Sequence, residues 1–133
     1  MKFVLIVLVL VLSWMQKEKQ LNLEIEITGL KNDNGYVMFQ LFDVNQKVIG
    51  QYKESIRDKR SLVNIKDLKQ GQYAFRYFHD ENLSGEMETN RLGIPLEGYG
   101  FSNRGAGPFG PRDFSKWLFK LDNSIKIESK IRY

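Results

Sequence analysis

Oxygen-bearing side chains recur at every second position from Asp80 to Glu88, and Gly85 stands where such a loop must turn sharply. This spacing is typical of an EF-hand-like loop, which wraps carboxylate, amide and backbone carbonyl oxygens around Ca²⁺. We predict one structural Ca²⁺ ion in the segment Asp80–Asn90. The predicted metal ligands are Asp80, Asn82, Ser84, Glu88 and, through its backbone carbonyl, Glu86.

The loop lacks one ligand of that pattern. An EF-hand loop ends on a bidentate glutamate at its twelfth position, but Arg91 occupies that position here. Three acidic residues elsewhere are candidates to replace it: Glu81, Glu97 and Asp113. With so few carboxylates, we expect a dissociation constant of about 10⁻⁴–10⁻³ M. The alternative is a set of Asx turns, in which the same side chains accept backbone N–H groups and bind no metal.

His79 is the only histidine and directly precedes this loop. A histidine acts as a general base when a carboxylate orients it and a nucleophile lies nearby. The carboxylate would come from Asp80, Glu81 or Glu97. The nucleophile would be Ser102, and this arrangement makes a hydrolase the alternative function. The structural interpretation instead buries His79 at the end of a strand, where it donates one hydrogen bond.

A second candidate site is the glycine-rich stretch 97–103 together with the aromatic residues around it. Exposed aromatic rings present large contact areas to sugars or peptides. Such a stacking platform would consist of Tyr99, Phe101, Phe109 and Trp117. The predicted ligand-binding residues are Tyr99, Phe101 and Asn103. In the alternative interpretation the rings fill the core beneath the loop.

Alternating apolar and polar residues predict β-strands on both sides of these sites. The clearest case is residues 20–29, where leucine and isoleucine alternate with polar residues. Asn34-Gly35 predicts a turn of the kind that closes hairpins, because both residues tolerate a positive φ. Further strands are predicted at residues 36–42, 47–56, 62–65, 73–78, 117–121 and 125–132.

The segment from Leu68 to Tyr73 indicates how these strands pack. A leucine, a glycine turn and a tyrosine that opens a strand form the pattern of a tyrosine corner, a device of β-sandwiches. About seven strands and no helix predict an all-β fold, a single Greek-key β-sandwich of immunoglobulin or transthyretin type. Residues 79–114 show no periodicity but contain several aromatic residues, which predicts a long ordered loop.

The N-terminus predicts export. Met1-Lys2 is followed by an unbroken apolar run, residues 3–12, and this arrangement is typical of a secretory signal peptide. Such a run rises only about 15 Å as a helix, so no integral membrane span is expected. We assign residues 1–16 to a signal peptide and residues 17–133 to the β-sandwich domain of a secreted or periplasmic protein. No small-x-small motif marks a cleavage site, so an uncleaved anchor is the alternative.

Composition excludes several classes of function. The chain contains no cysteine, which rules out disulfides, thiol nucleophiles and cysteine-ligated zinc. The formal net charge is +4, but the basic residues are scattered and are not grouped with stacking aromatics. We therefore expect no nucleic acid partner.

Long motifs of the chain resemble those of one bacterial family. They are His-Asp-Glu-Asn-x-x-Gly-x-x-x-Thr-Asn from His79, Gly-Ile-Pro-x-Glu-Gly-Tyr-Gly-Phe-Ser-Asn from Gly93, and Phe-Gly-Pro from Phe109. This combination is similar to the exported bacterial domain of unknown function 2141, over residues 20–133. The resemblance implies a secreted or periplasmic β-rich domain and implies no particular activity. Family members tend to carry Asn at the position of Ser84 and Asp at that of Glu88, so this chain departs at two predicted metal ligands.

These observations predict an exported, non-enzymatic binding or accessory domain whose partner is a protein or a small ligand. The alternative is the hydrolase built on His79. Geometry separates the two, because catalysis needs at least two of the candidate side chains to converge on an open cleft.

Overall fold

The structure is a computed structural model that describes residues 17–133. The predicted signal peptide, residues 1–16, lies outside the described residues. The strands are β1 (Gln20–Thr28), β2 (Tyr36–Phe42), β3 (Val48–Ser55), β4 (Ser61–Lys69), β5 (Gly71–Asp80), β6 (Tyr99–Phe101), β7 (Ala106–Gly107), β8 (Gly110–Pro111), β9 (Phe119–Leu121) and β10 (Ile125–Lys130). A short 3-10 helix, Phe114–Lys116, precedes β9.

The longer strands form two sheets. In the first sheet, β1 lies between β4, to which it is antiparallel, and β10, to which it is parallel. The second sheet has the order β3-β2-β5-β6, and β9 pairs with the first residues of β5. The chain leaves the first sheet after β1, forms the β2–β3 hairpin in the second and returns for β4, which is a Greek-key connection. The prediction of an all-β sandwich is confirmed.

The core between the sheets follows from the period-two pattern of the strands. All the inward-facing apolar residues of β1 and β2 are at most 1% exposed, and they are Leu21, Leu23, Ile25, Ile27, Val37, Phe39 and Leu41. Phe39 stacks on Phe75 of β5 with ring centroids 5.1 Å apart. Burying each such side chain stabilises the fold by about 1.5–3 kcal/mol. The predicted faces of β1 and β2 are therefore confirmed.

The tyrosine corner is present where β4 gives way to β5. The Tyr73 hydroxyl donates a hydrogen bond of 2.7 Å to the backbone carbonyl of Lys69, four residues earlier. This bond fixes the crossover from the first sheet to the second, and it confirms the interpretation of residues 68–73.

The outer face of the second sheet is only partly covered. A second buried cluster, formed by Phe42, Ala74, Tyr99, Phe101 and Trp117, covers the end of the face where β5 begins.

The sequence predicts one long ordered loop over residues 79–114. In the structure this segment also includes three short strands, β6, β7 and β8. The predicted strand 117–121 also begins only at Phe119, because the Trp117 N–H bonds to the carbonyl of Phe114 in the helical turn.

The Asn34-Gly35 turn fixes the position of the last residue of β5. Gly35 adopts φ +69°, and a Cβ there would lie 1.9 Å from the carbonyl oxygen of Asp80. Only glycine fits this contact and this dihedral angle together. The turn does not close a hairpin, since it connects β1 of one sheet to β2 of the other.

Candidate functional site

The end of β5 delivers His79 and Asp80 to opposite faces of the second sheet. Successive side chains of a strand alternate between faces, so His79 points into the inter-sheet core and Asp80 points outward beneath the following loop. Their exposed fractions are 0% and 2%. Two buried polar sites therefore lie side by side along the backbone.

His79 has a hydrogen-bond partner on each ring nitrogen. Nε2 lies 2.6 Å from the carbonyl of Asn34, and since a carbonyl only accepts, Nε2 carries the proton. Nδ1 then accepts the Tyr133 hydroxyl at 2.7 Å. That hydroxyl in turn accepts the Lys31 backbone N–H at 3.1 Å. This arrangement matches the structural interpretation of His79, which donates one hydrogen bond from a buried position.

Ser102, the nucleophile of the hydrolase alternative, does not lie beside His79. Ser102 is 1% exposed, and its hydroxyl donates to the carbonyl of Trp117 at 2.6 Å. Ser102 also bonds to the backbone of Phe75, four residues before His79, which places it about 13 Å away along the strand. Both side chains are therefore buried and well separated.

The Asp80 carboxylate closes the start of the loop. Its Oδ1 accepts the N–H of Ser84 at 3.0 Å, and its Oδ2 accepts the N–H of Gly85 at 2.9 Å. Asn82 Oδ1 also lies 3.2 Å from the Ser84 N–H. Leu83 and Gly85 both have positive φ values, which let the chain turn around the carboxylate. These are the hydrogen bonds of the Asx-turn alternative.

The remaining predicted metal ligands are linked to the same turn. The Ser84 hydroxyl donates to the Glu86 carbonyl at 2.9 Å, and Asn82 Nδ2 donates to Glu88 Oε1 at 2.7 Å. The structure thus brings the predicted ligands into one hydrogen-bonded cluster, but in residues 17–133 no three Asp, Glu or His side chains are placed to hold a metal ion. The calcium site stays a prediction.

Two of the three candidates for the missing glutamate ligand have other roles or positions: Glu81 is in an ion pair, and Asp113 is exposed. Glu81 accepts Lys31 Nζ at 2.9 Å and Asn32 Nδ2 at 2.8 Å. Burial raises the pKa of Glu81, but these two hydrogen bonds outweigh it and the pKa lies below its ordinary value. Asp113 is exposed and directly precedes the 3-10 helix.

Glu97 is the third candidate, and it is buried without a partner. Its exposed fraction is 7%, and neither carboxylate oxygen has a hydrogen-bond partner within residues 17–133. Burial raises the pKa of Glu97, and the nearby carboxylates of Asp80 and Glu88 raise it further. The Glu88 backbone N–H opposes this rise without making a hydrogen bond of normal geometry.

The backbone holds Glu97 against the loop. Leu96 N–H donates to the Glu88 carbonyl at 2.8 Å, and His79 N–H donates to the Gly98 carbonyl at 2.8 Å. Glu97 therefore stands between the beginning and the end of the segment that contains the predicted metal ligands.

The predicted aromatic platform is largely buried. Tyr99 and Phe101 are each 9% exposed, and the Phe101 ring lies 4.6 Å from that of Trp117. These rings fill the second core cluster, as in the alternative interpretation, whereas Phe109 is 82% exposed. Asn103 adopts φ +51° and donates from Nδ2 to the Leu118 carbonyl at 2.8 Å, so it shapes a turn.

The uncovered part of the second sheet's outer face forms a groove that sequence reasoning missed. We call it the outer groove; its volume is about 670 Å³, which is in the range of small-molecule sites. Its floor is formed by outward-facing residues of β2, β3 and β5, and one wall by residues 85–87. The lining side chains are Met38, Gln40, Gln51, Lys53, Arg76, Phe78, Glu86 and Met87.

Arg76 is the central cation of the outer groove. Its Nε donates to Gln40 Oε1 at 2.7 Å, and its guanidinium lies 5.4 Å from the centre of the Phe42 ring. Burial lowers the pKa of Arg76. Neither Arg76 nor Lys53 has an acidic ion-pair partner within the described part of the chain. Lys53 lies over the Tyr36 ring at 4.3 Å.

A family profile described as "Uncharacterized protein conserved in bacteria (DUF2141)" matches residues 25–128. The chain belongs to this family. The match runs from β1 to β10, so it includes both polar sites at the end of β5 and the outer groove. No curated protein and no solved structure gave a significant match. Among the described residues, no helix is both long and apolar enough to cross a membrane.

A faint sequence signal for the outer groove exists in this family member. Met38 and Phe78 are large apolar residues at outward positions of strands whose other faces are already apolar. A strand with apolar residues on both faces needs a cover on both sides. The loop covers one end of the sheet only, and the pattern alone does not say which end stays open.

Proposed function

We propose that this chain is an exported, non-enzymatic binding domain, and that its ligand binds in the outer groove. The proposed ligand is a small molecule with one anionic group and an apolar part. A structural Ca²⁺ ion in the segment Asp80–Asn90 belongs to this proposal, because residues 85–87 form one wall of the groove.

The observation that carries the proposal is the guanidinium of Arg76, which has no acidic partner among residues 17–133 and lies in a concave, partly apolar surface. Guanidinium groups bind carboxylates and other oxyanions through paired hydrogen bonds. The single bond to Gln40 engages only Nε, so the terminal nitrogens are available to a ligand. Phe78, Met38 and Met87 supply the apolar contacts.

The buried and fully hydrogen-bonded position of His79 supports the non-enzymatic part of the proposal. Both ring nitrogens are engaged in the core, and the side chain is 0% exposed. A general base must reach a proton of the substrate, which His79 does not do from this position. Export rests on the apolar run of residues 3–12.

The experiment uses 1-anilinonaphthalene-8-sulfonate, an apolar ring system with one sulfonate, as the probe. Fluorescence titration should give saturable binding to the wild type and at least about tenfold weaker binding to Arg76→Gln, which is a loss of about 1.4 kcal/mol. Glutamine keeps part of the side-chain stem and removes the charge. Arg57→Gln is the matched control, since Arg57 is exposed and lies outside the groove.

Equal binding by both variants would place the probe elsewhere and remove the support for the groove. Turnover on ester, glycoside or peptide substrates that disappears in His79→Ala would overturn the non-enzymatic assignment.

A further inference from the structure

We propose that Glu97 completes a Ca²⁺ site with the Asp80 loop. It would replace the glutamate that an EF-hand loop carries at its twelfth position, where this chain has Arg91. The ligands would be Asp80, Asn82, Ser84, Glu88 and Glu97, with the Glu86 carbonyl. This inference rests on the calcium part of the proposed function, and it is independent of the ligand in the outer groove.

The first argument is the isolation of the Glu97 carboxylate. A buried polar group without a hydrogen bond is rare in folded proteins, and a buried charge needs a partner. Glu97 is more than nine-tenths buried, and among residues 17–133 neither of its oxygens has one. An ionised carboxylate only accepts, so a bound cation would satisfy both oxygens.

The second argument is the position of that carboxylate. The Leu96–Glu88 and His79–Gly98 backbone bonds fix the residues on either side of it. Through these bonds a cation at the Glu97 carboxylate would lie between the beginning and the end of the loop.

The third argument is the chemistry of the donors. The cluster supplies carboxylate, amide, hydroxyl and carbonyl oxygens and no sulfur or imidazole nitrogen, since His79 points to the opposite face. Hard cations prefer such oxygen ligands, and Ca²⁺ accepts six to eight of them in irregular geometry, whereas Mg²⁺ demands a near-ideal octahedron. A loop with several kinds of oxygen donor and two buried carboxylates, Asp80 and Glu97, suits Ca²⁺ better.

The hydrogen bonds of the turn do not compete with this site. A carboxylate has about four acceptor positions, and the backbone N–H groups of Ser84 and Gly85 use only part of those on Asp80. These bonds shape the loop backbone. Within residues 17–133 the side chains of Asp80, Glu88 and Glu97 are not placed together around one point, so ion binding requires Glu88 and Glu97 to rotate. Asn82 already orients Glu88 through its amide.

The test is thermal unfolding of the full chain in EDTA and during titration with CaCl₂ or MgCl₂. The titration should reach about 10 mM, above the weakest dissociation constant of about 10⁻³ M expected for such a site. Ligand binding raises the melting temperature as the free ion exceeds the dissociation constant. We expect Ca²⁺ to raise it by at least about 5 °C and Mg²⁺ to leave it nearly unchanged.

Two variants locate the effect. Glu97→Gln should abolish the Ca²⁺-induced shift, because the amide keeps the shape and loses the charge. Asp113→Asn is the matched control; it removes the same charge from an exposed residue and should keep the full shift. Trypsin cleavage at the exposed Arg91 should slow in Ca²⁺ for the wild type and the control only.

Each outcome decides a separate statement. An unchanged shift in Glu97→Gln would overturn the role of Glu97 and leave calcium in the loop. No shift in the wild type would overturn calcium altogether, while probe binding to the outer groove would still be measured independently. If Glu97→Gln does not fold, amide NMR of the wild type decides, because Ca²⁺ must then shift residues 80–98; shifts confined to other residues would overturn the site.

Discussion

The two polar sites at the end of β5 differ in one respect: one is complete and the other is not. On the inner face, His79 is fully buried and each ring nitrogen has a partner. On the outer face, Glu97 is almost as buried, and neither oxygen has one among residues 17–133. The comparison teaches that two polar groups of nearly equal burial differ in how their hydrogen bonding is satisfied. The inner site has a partner for each polar atom of the ring, and the carboxylate of the outer site has none from the described residues.

The largest expected effect comes from breaking the inner site. His79→Ala removes a buried ring and leaves the Asn34 carbonyl without its donor and the Tyr133 hydroxyl without its acceptor. We expect a loss of about 3–5 kcal/mol in the free energy of unfolding, measured by urea denaturation. Tyr133→Phe is the control, since it removes only one hydroxyl and should cost about 1–2 kcal/mol. A loss below that of Tyr133→Phe would show that the inner site contributes little.

The stability at alkaline pH tests a second buried group on the inner face, the hydroxyl of Tyr77. Burial raises the pKa of Tyr77, two residues before His79, to about 12, against an ordinary value of 10.0. A raised pKa in the folded state means that stability is complete below pH 10 and is lost as the pH rises towards 12. Each pH unit is worth about 1.4 kcal/mol, so the free energy of unfolding should fall by about 3 kcal/mol over this window.

Urea denaturation between pH 9 and 12 measures this loss, and Tyr77→Phe should flatten most of it. The same slope in the variant would assign the effect to the other tyrosines whose pKa is raised by burial, such as Tyr52 and Tyr133.

The smallest effect has the opposite sign and belongs to the outer site. In EDTA, Glu97→Met replaces a partnerless buried carboxylate with an apolar side chain of similar length. We expect a gain of about 1 kcal/mol in the free energy of unfolding. A loss in EDTA would indicate that the carboxylate already has a stabilising partner and would weaken the contrast between the two sites. In Ca²⁺ the order of the two proteins should reverse.

The sandwich and its inner core were predictable because they depend on local patterns. The alternation in β1 and β2 places the apolar side chains on one face, and the spacing from Leu68 to Tyr73 predicts the tyrosine corner that the Tyr73–Lys69 bond forms. In contrast, β6, β7 and β8 have two or three residues each. Such strands are too short to show a period, and their positions depend on distant partners, as in the bridge between Tyr99 and Arg132.

The polar sites were predictable only in part for the same reason. The spacing of residues 80–88 indicated a turn around Asp80, and the structure forms that turn. The sequence left Glu81 and Glu97 as equal candidates to complete the predicted site. They differ because Glu81 pairs with Lys31, a contact between residues fifty positions apart. The partners of His79 are Asn34 and Tyr133, which lie 45 and 54 positions away along the chain. No local pattern contains contacts of that range.

Both polar sites depend on Gly35. Its missing side chain is what lets the carbonyl of Asp80 approach the turn, and Asp80 and His79 share that stretch of backbone. In a saturation mutagenesis experiment, position 35 should therefore group with the residues of both polar sites, although glycine has no functional group of its own. A search for reactive side chains alone would overlook this position, although both sites depend on it.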